Sequence, residues 1–328
     1  MILVTGGAGY IGSHVVKELI YRGYEVIVLD NLNEGHKEAV QAKAKFFKGD
    51  ILNERDVDSV FLQYPLSAVI HFAAHCYVGE SVKNPDIYYE NNVQGTLNLL
   101  KVMNKHQVRN IVFSSSCAVY GNTNSLINEN LETNPINPYG WSKLMCEQII
   151  KDFYNAYKLN YVILRYFNVA GADIFGELGE DHNPETHLIP SILKHLIGKK
   201  ESIQVYGNDY ETKDGTCIRD YIHVTDLANA HVRALQNMIK NDNTQEIYNV
   251  GNEKGYSVKD IIQVCENVTN KKAKVEYVKR REGDPPILIA SSLKIRKELN
   301  WKAKYELEQM IETAWKWLST HPNGYTKK

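Results

Sequence analysis

Most features that would commit this chain to a special environment are missing. Its 38 Lys and Arg stand against 39 Asp and Glu, a formal net charge of −1. That balance offers no basic face to nucleic acid and none to an acidic membrane. No apolar run approaches the ~20 residues that a membrane span needs. No leader-like segment precedes the strand-like Ile2-Leu3-Val4, so a cytoplasmic protein is expected. Cysteine is sparse: Cys76, Cys117, Cys146, Cys217 and Cys265 are odd in number, and no two are spaced like a metal knuckle. Free thiols in a reducing compartment follow from this. The 11 His residues form no HExxH or CxxC…HxxxH arrangement, so no metal is expected. Internal repeats and low-complexity segments are also absent.

What remains is ordinary for a globular enzyme: 43% hydrophobic and 23% charged residues. A length of 328 residues suits two domains, or one elaborated one, with a sizeable core. Residues 2–5, 25–30, 45–49, 68–72, 110–114 and 161–166 are short β-branched runs that predict strands. Residues 10–22, 53–64, 87–106 and 139–158 predict helices between them. This alternation predicts an α/β fold with a doubly wound parallel sheet of Rossmann type. After Asn168 the rhythm breaks, and Gly, Asp, Pro and Asn cluster over 171–185 as a loop. Shorter mixed elements follow: helices near 188–197, 258–268 and 308–318, and strands near 203–206 and 247–250. The expectation is a Rossmann domain over 1–168 and a smaller mixed α/β domain over 169–328, with some later segments packing back on the first.

Gly6, Gly9 and Gly12 fall between the first strand and the first helix, spaced GxxGxxG. Glycines there permit a tight turn and close approach of backbone to a pyrophosphate, which the helix N-terminus also attracts. Asp30 ends the second strand 18 residues past Gly12, near the roughly 20 expected for an acid that binds a ribose diol. A carboxylate there repels a 2′-phosphate, so NAD is favoured over NADP. The bland alternative is a tight βα turn with no ligand. Asp50, ending the third strand, could face adenine or cap the helix that begins near Asn53.

Tyr139-Gly140-Trp141-Ser142-Lys143 places Tyr and Lys one helical turn apart on one face. A phenol near pKa 10 is a poor base at neutral pH. A neighbouring ammonium and a cationic nicotinamide ring both favour phenolate, so together they are expected to lower the Tyr139 pKa. Tyr139 would then remove a hydroxyl proton. Ser114-Ser115-Ser116 ends a predicted strand, where ligands bind in open α/β sheets. Taken alone, the Tyr–Lys pair could be surface helix, and the serines a polar turn.

TGGAGYIG, FSSSCAVYG, YGWSK, RYFNVAGA and RDYIHVTDLA together resemble the extended short-chain dehydrogenase/reductase superfamily. Within it, GNDYETKDGTCIRDYIHV and RREGDPP look like the UDP-glucose 4-epimerases, bacterial members in particular. The similarity covers nearly the whole chain. It implies reversible C4 epimerisation of UDP-galactose and UDP-glucose through a 4-keto intermediate, with NAD held tightly. By resemblance, Tyr139 is the base and acid, Lys143 tunes it and binds NAD, and Ser116 completes the proton path. Tyr10 and Ile11, with the glycines, lie at the pyrophosphate; Asp30 and Asn31 bind the adenosine ribose. Asp50 and Ile51 lie by adenine. Phe72, Ala73, Ala74, Asn91 and Ser114 line the cofactor, and Tyr166 and Phe167 flank the nicotinamide.

The later half would then bind the UDP-sugar. Arg219 and Arg281 offer planar donor forks to a diphosphate. Asp284 could accept from uridine hydroxyls, Asn168 could bind a phosphate or sugar oxygen, and Tyr206 could lie against uracil beside Leu188. Tyr221 belongs to the same set. Two positions depart from the family pattern. His187 stands where many members have Asn, and Leu288 where some carry a bulky Tyr. The smaller Leu288 extends the expectation to UDP-GlcNAc and UDP-GalNAc, unless it only packs a loop. A nucleotide-sugar 4,6-dehydratase is the nearest rival, but Cys117-Ala118 beside Ser116 supplies no acid/base pair. A uronate epimerase is another. A rival of another class is a non-catalytic NAD-sensing protein. Family members are often homodimers, which makes residues 87–106 and 139–158 candidates for a four-helix interface.

Overall fold

The structure, a computed structural model, describes residues 1–122, 126–281 and 284–325. Its strands, in chain order, are β1 (Ile2–Thr5), β2 (Val26–Asp30), β3 (Lys45–Lys48), β4 (Ala68–His71), β5 (Asn110–Ser116), β6 (Asn160–Tyr166), β7 (Asn168–Ala170), β8 (Ile203–Tyr206), β9 (Ile218–His223), β10 (Gln245–Val250), β11 (Gly255–Ser257), β12 (Val275–Val278) and β13 (Ile287–Leu288). Seven of them form one sheet in the order β3-β2-β1-β4-β5-β6-β10, every pair parallel. The order reverses between β1 and β4, so a crevice opens at their C-terminal ends.

The sheet strands are apolar runs rather than alternating ones because both faces are covered. On one face Val4, Ile70, Val112 and Leu164 meet Val15 and Leu19 of helix Tyr10–Tyr21 and Leu227 and Leu235 of helix Val224–Lys240. On the other, Leu3, Val69, Ile111 and Ile163 meet Val57, Leu99 and Ile150 from helices Glu54–Gln63, Gly95–Lys105 and Pro138–Tyr157. The doubly wound α/β fold expected from the sequence is what the structure shows. The second half builds its own core from Ile192, Ile261, Met310 and Ile311. There β9 pairs with β7, β11 and β13, and β8 pairs with β12. Helix Val224–Lys240 and β10 leave that half and complete the large sheet.

Two local departures matter for the site. Residues 87–106 are not one regular helix: Tyr89–Gln94 winds as a π-helix between Pro85–Tyr88 and Gly95–Lys105. The wide turn lets Asn92 bridge to the His75 backbone (2.8 and 3.1 Å) and to Ser142 Oγ (3.0 Å). Such turns often sit at functional sites. The 17-residue helix Val224–Lys240 was not anticipated. Its strand runs straight into it, and its N-cap is His223, whose Nδ1 accepts from Thr225 N at 3.0 Å. A His cap gives none of the usual Ser, Thr, Asp or Asn signal.

Candidate active site

Helix Pro138–Tyr157 starts where it does for local reasons. Asn137 caps it by accepting from Gly140 N at 2.9 Å, and Pro138 fills the first helical position. Tyr139 therefore lies in the first turn. A Cβ on Gly140 would come within 2.6 Å of Ala118 O, so only glycine lets this turn sit against the end of β5. That contact brings Tyr139 and Lys143 to the serine strand. Lys143 is buried, and its Nζ donates to Ser114 O at 2.8 Å. Ser114 Oγ shares a 2.5 Å hydrogen bond with the Tyr166 hydroxyl. Ser116 Oγ accepts from Ala118 N at 3.1 Å.

The protein groups around Tyr139 do not by themselves lower its phenol. Burial pushes its phenol well above the ordinary value; Tyr166 and Cys76 push the same way, and only the Ser116 hydroxyl pulls back noticeably. Burial likewise lowers Lys143. Lys143 Nζ lies 6.0 Å from the Tyr139 ring centroid and is aimed at Ser114. In this environment the phenol is a proton holder, and its activation requires a positive charge delivered with a ligand.

The glycine loop is packed as tightly as its spacing implied. Gly6 has φ +68°, and a Cβ there would lie 2.6 Å from Ala73 N; on Gly12 it would lie 2.2 Å from Gly6 O. Gly9 caps helix Tyr10–Tyr21 without a side-chain hydrogen bond. The first-turn N–H groups are thus left for a ligand. Asp30, raised by burial, accepts from Ala8 N (3.0 Å) and Leu32 N (2.9 Å). It braces the loop as well as facing the crevice. A cradle that any Cβ would fill, beside an acid at the end of β2, fits a dinucleotide.

One cavity of about 1850 Å³ is lined by all but one of the residues expected at the site. This exceeds the roughly 300–1,000 Å³ of a pocket for a single drug-sized ligand, so two ligands have room. The exception is Asp50. Half-buried between the lining residues Gly49 and Ile51, its carboxylate accepts from Asn31 Nδ2 (2.9 Å) and Leu52 N (2.8 Å). The helix cap is Asn53 instead. Asp50 thus orients Asn31.

At the far end Arg219 and Arg281 both reach the cavity, each already engaged. Arg219 pairs with Asp284 and donates to Ile218 O at 2.8 Å. The Arg281 guanidinium stacks 4.0 Å over the Tyr206 ring, covering one face expected to meet uracil. Asn168 and Tyr221 are side by side in the β7–β9 register. Leu288, on β13, lines the cavity and packs on the cluster of Cys117, Tyr120 and Phe167. Burial pushes the Cys117 thiol up to about 12, so it supplies no dehydratase acid or base. His187 turns its ring to Glu180 and Glu185.

Several supporting residues were missed. Behind the serines, Glu147 accepts from Ser115 Oγ (2.6 Å) and takes Arg165 in a fork (2.9 and 2.6 Å); Arg165 also donates to Tyr120 OH (3.0 Å). All four are buried. The signal was available, because Tyr139, Lys143 and Glu147 form an i, i+4, i+8 stripe. Cys76 also lines the cavity, and no sequence pattern marks it.

The model of the NAD dependent epimerase/dehydratase family matches residues 2–251. The UDP-glucose 4-epimerase of Halalkalibacterium halodurans is 52% identical, covering 99% of this chain and 97% of that protein. Its counterpart from Lactobacillus helveticus is 48% identical over 100% and 99%. A solved UDP-glucose 4-epimerase from Bifidobacterium longum, in complex with NAD+ and UDP, superposes with a TM-score of 0.95 at 41% identity, covering 98% and 99%. The UDP-Glc/GlcNAc 4-epimerase of Campylobacter jejuni gives a TM-score of 0.84 at 40% identity, covering 97% and 99%. The chain belongs to the NAD dependent epimerase/dehydratase family and, within it, to the group that holds these UDP-glucose 4-epimerases.

Proposed function

We infer that the protein is an NAD-dependent isomerase that interconverts UDP-galactose and UDP-glucose by inverting C4. The observation that carries this is a single cavity with a dinucleotide cradle at one end, two arginines at the other, and Tyr139, Lys143 and Ser116 on its wall. Gly6, Gly9, Gly12 and the N–H groups of Tyr10 and Ile11 would hold the NAD pyrophosphate, Asp30 and Asn31 its ribose. Bound NAD supplies the hydride acceptor and donor for C4 and a positive charge that favours the Tyr139 phenolate. Tyr139 takes the C4 hydroxyl proton and returns it to the 4-keto oxygen. Ser116 orients that hydroxyl. Lys143 is fixed by Ser114 O and adds positive charge. Arg219 and Arg281 grip the diphosphate, which leaves the hexose free to present either face.

Incubating the protein with UDP-galactose and resolving the products tests this; absence of UDP-glucose rejects it. Leu288 lines the cavity where a bulky Tyr would narrow it, and on that ground N-acetylated UDP-hexoses are substrates too. A coupled assay with no turnover of UDP-GlcNAc removes this extension. Ile87, Trp141, Met145 and Tyr157 are exposed apolar residues on the two long helical segments. They favour a homodimer through those helices, which light scattering on the purified protein checks. No helix among the described residues is long and apolar enough to cross a membrane; with the free cysteines, this supports a cytoplasmic site of action.

A further inference from the structure

Glu180, His182, Glu185 and His187 lie on the loop before helix Leu188–Leu196, and one ligating atom of each falls within 4.8 Å of the others. We propose that these four side chains form a site for a divalent transition-metal ion of the zinc type, on the strap of chain that borders the cavity. The sequence Glu-x-His-x-x-Glu-x-His is neither an HExxH nor a knuckle pattern, so its spacing alone does not signal a metal.

Separation is the first argument. Two ligands each about 2.1 Å from a tetrahedral ion stand about 3.4 Å apart. Glu180 Oε1 is 3.2 Å from His182 Nδ1 and 2.8 Å from His187 Nδ1. Glu185 presents Oε1 at 3.3 Å from His187 Nδ1 and Oε2 at 4.0 Å from His182 Nδ1. The observed values bracket the expected one.

Direction is the second. An imidazole that only pairs with a carboxylate aims its N–H at an oxygen. Here His182 Nδ1, His187 Nδ1 and Glu185 Oε2 are buried and lie beside opposite charges, yet none makes an aligned hydrogen bond among the described residues. The Glu185 side chain is only 2% exposed. Three unsatisfied polar atoms converging in one place are costly, and an ion at their centre satisfies all three. Two imidazoles and two carboxylates are a donor set that zinc accepts.

Charge is the third. The loop faces the anion-attracting start of helix Tyr10–Tyr21, with the Tyr10 and His182 rings edge-on at 6.4 Å. A helix start attracts carboxylates, but two buried side by side repel each other and any phosphate bound there unless neutralised. Lys194, 3.7 Å from Glu185 Oε2, offsets part of their charge. A divalent ion offsets more. His187 is 42% exposed and lines the cavity, which gives an ion a path in. The same strap is tied down by His36 to Asp181 O (3.0 Å) and by Tyr325 N to Asp181 Oδ2 (2.9 Å). The ion would fix its remaining side. None of this requires the epimerase reading.

The test uses the purified protein with whatever dinucleotide it retains, dialysed against a chelator and titrated with Co²⁺, then Zn²⁺. One Co²⁺ per chain is expected, with the visible absorption of a four-coordinate site, displaced by one Zn²⁺. His182→Gln should weaken binding by more than about 100-fold, beyond the cost of losing a residue that only supports a ligand. Glu185→Gln should do the same, while His195→Gln should not. X-ray absorption at the zinc edge needs no variant and should show two imidazoles and two carboxylates. Lack of a saturable equivalent in the unaltered chain, wild-type binding in His182→Gln, or a different ligand set each overturns the proposal.

Discussion

The two ends of the cavity are built differently. At the dinucleotide end the wall is backbone, and glycines at 6 and 12 leave no space for even a Cβ. At the other end the wall is side chains on short strands, and Arg219, Asp284, Tyr206 and Arg281 engage one another. A backbone wall is fixed once the strand and helix pack. A wall of paired side chains can release a guanidinium to a ligand and re-form. An enzyme that keeps its cofactor and must let a sugar turn needs that asymmetry.

The sharpest way to break the comparison lies between the two ends. Tyr139→Phe should lower kcat by about 10³-fold or more while bound NAD, read by absorbance after denaturation, is unchanged. Loss of NAD alongside activity would mean that Tyr139 serves the cofactor end instead. Glu147→Ala leaves the buried Arg165 guanidinium unpaired, and such losses cost about 3–5 kcal/mol. Urea unfolding should show this together with reduced activity; an unchanged midpoint would mean that the fork does not hold the serine strand. Arg219→Ala should raise KM for UDP-galactose by roughly 10–100-fold, a charge-assisted hydrogen bond being worth about 1.5–3 kcal/mol, with NAD content unchanged. Leu288→Tyr should be smaller still: steady-state rates on UDP-GalNAc should fall about 10-fold further than those on UDP-galactose.

A pH prediction concerns the wall beneath Arg219. Burial pushes the Asp220 carboxyl up to about 7, only partly opposed by the N–H groups of Asn252 and Ala290. The folded state therefore holds a proton that the unfolded state releases near the ordinary value of 3.8. Stability from this group is full below that value and falls as pH rises through the window from about 4 to 7. The stability of the unaltered chain relative to Asp220→Asn should decline across that window; a flat difference would count against it.

The same contrast explains what the sequence could reveal. The glycine loop and Asp30 are contiguous and their spacing is set by one βα unit, so both were readable. An Asp after a strand can serve a ligand, a turn or a neighbour, and only the fold shows Asp50 holding Asn31. The i, i+4 spacing of Tyr139 and Lys143 reports their proximity but not the burial that raises the phenol. The Glu147–Arg165 fork joins a helix to a strand 18 residues away, beyond any local pattern.

The central claim, hydride removal and return at C4 within one closed site, is tested most directly with UDP-galactose deuterated at C4 and no added nucleotide. The account predicts UDP-glucose carrying deuterium at C4, with none lost to solvent. Absence of UDP-glucose, or UDP-glucose carrying solvent hydrogen at C4, would contradict it.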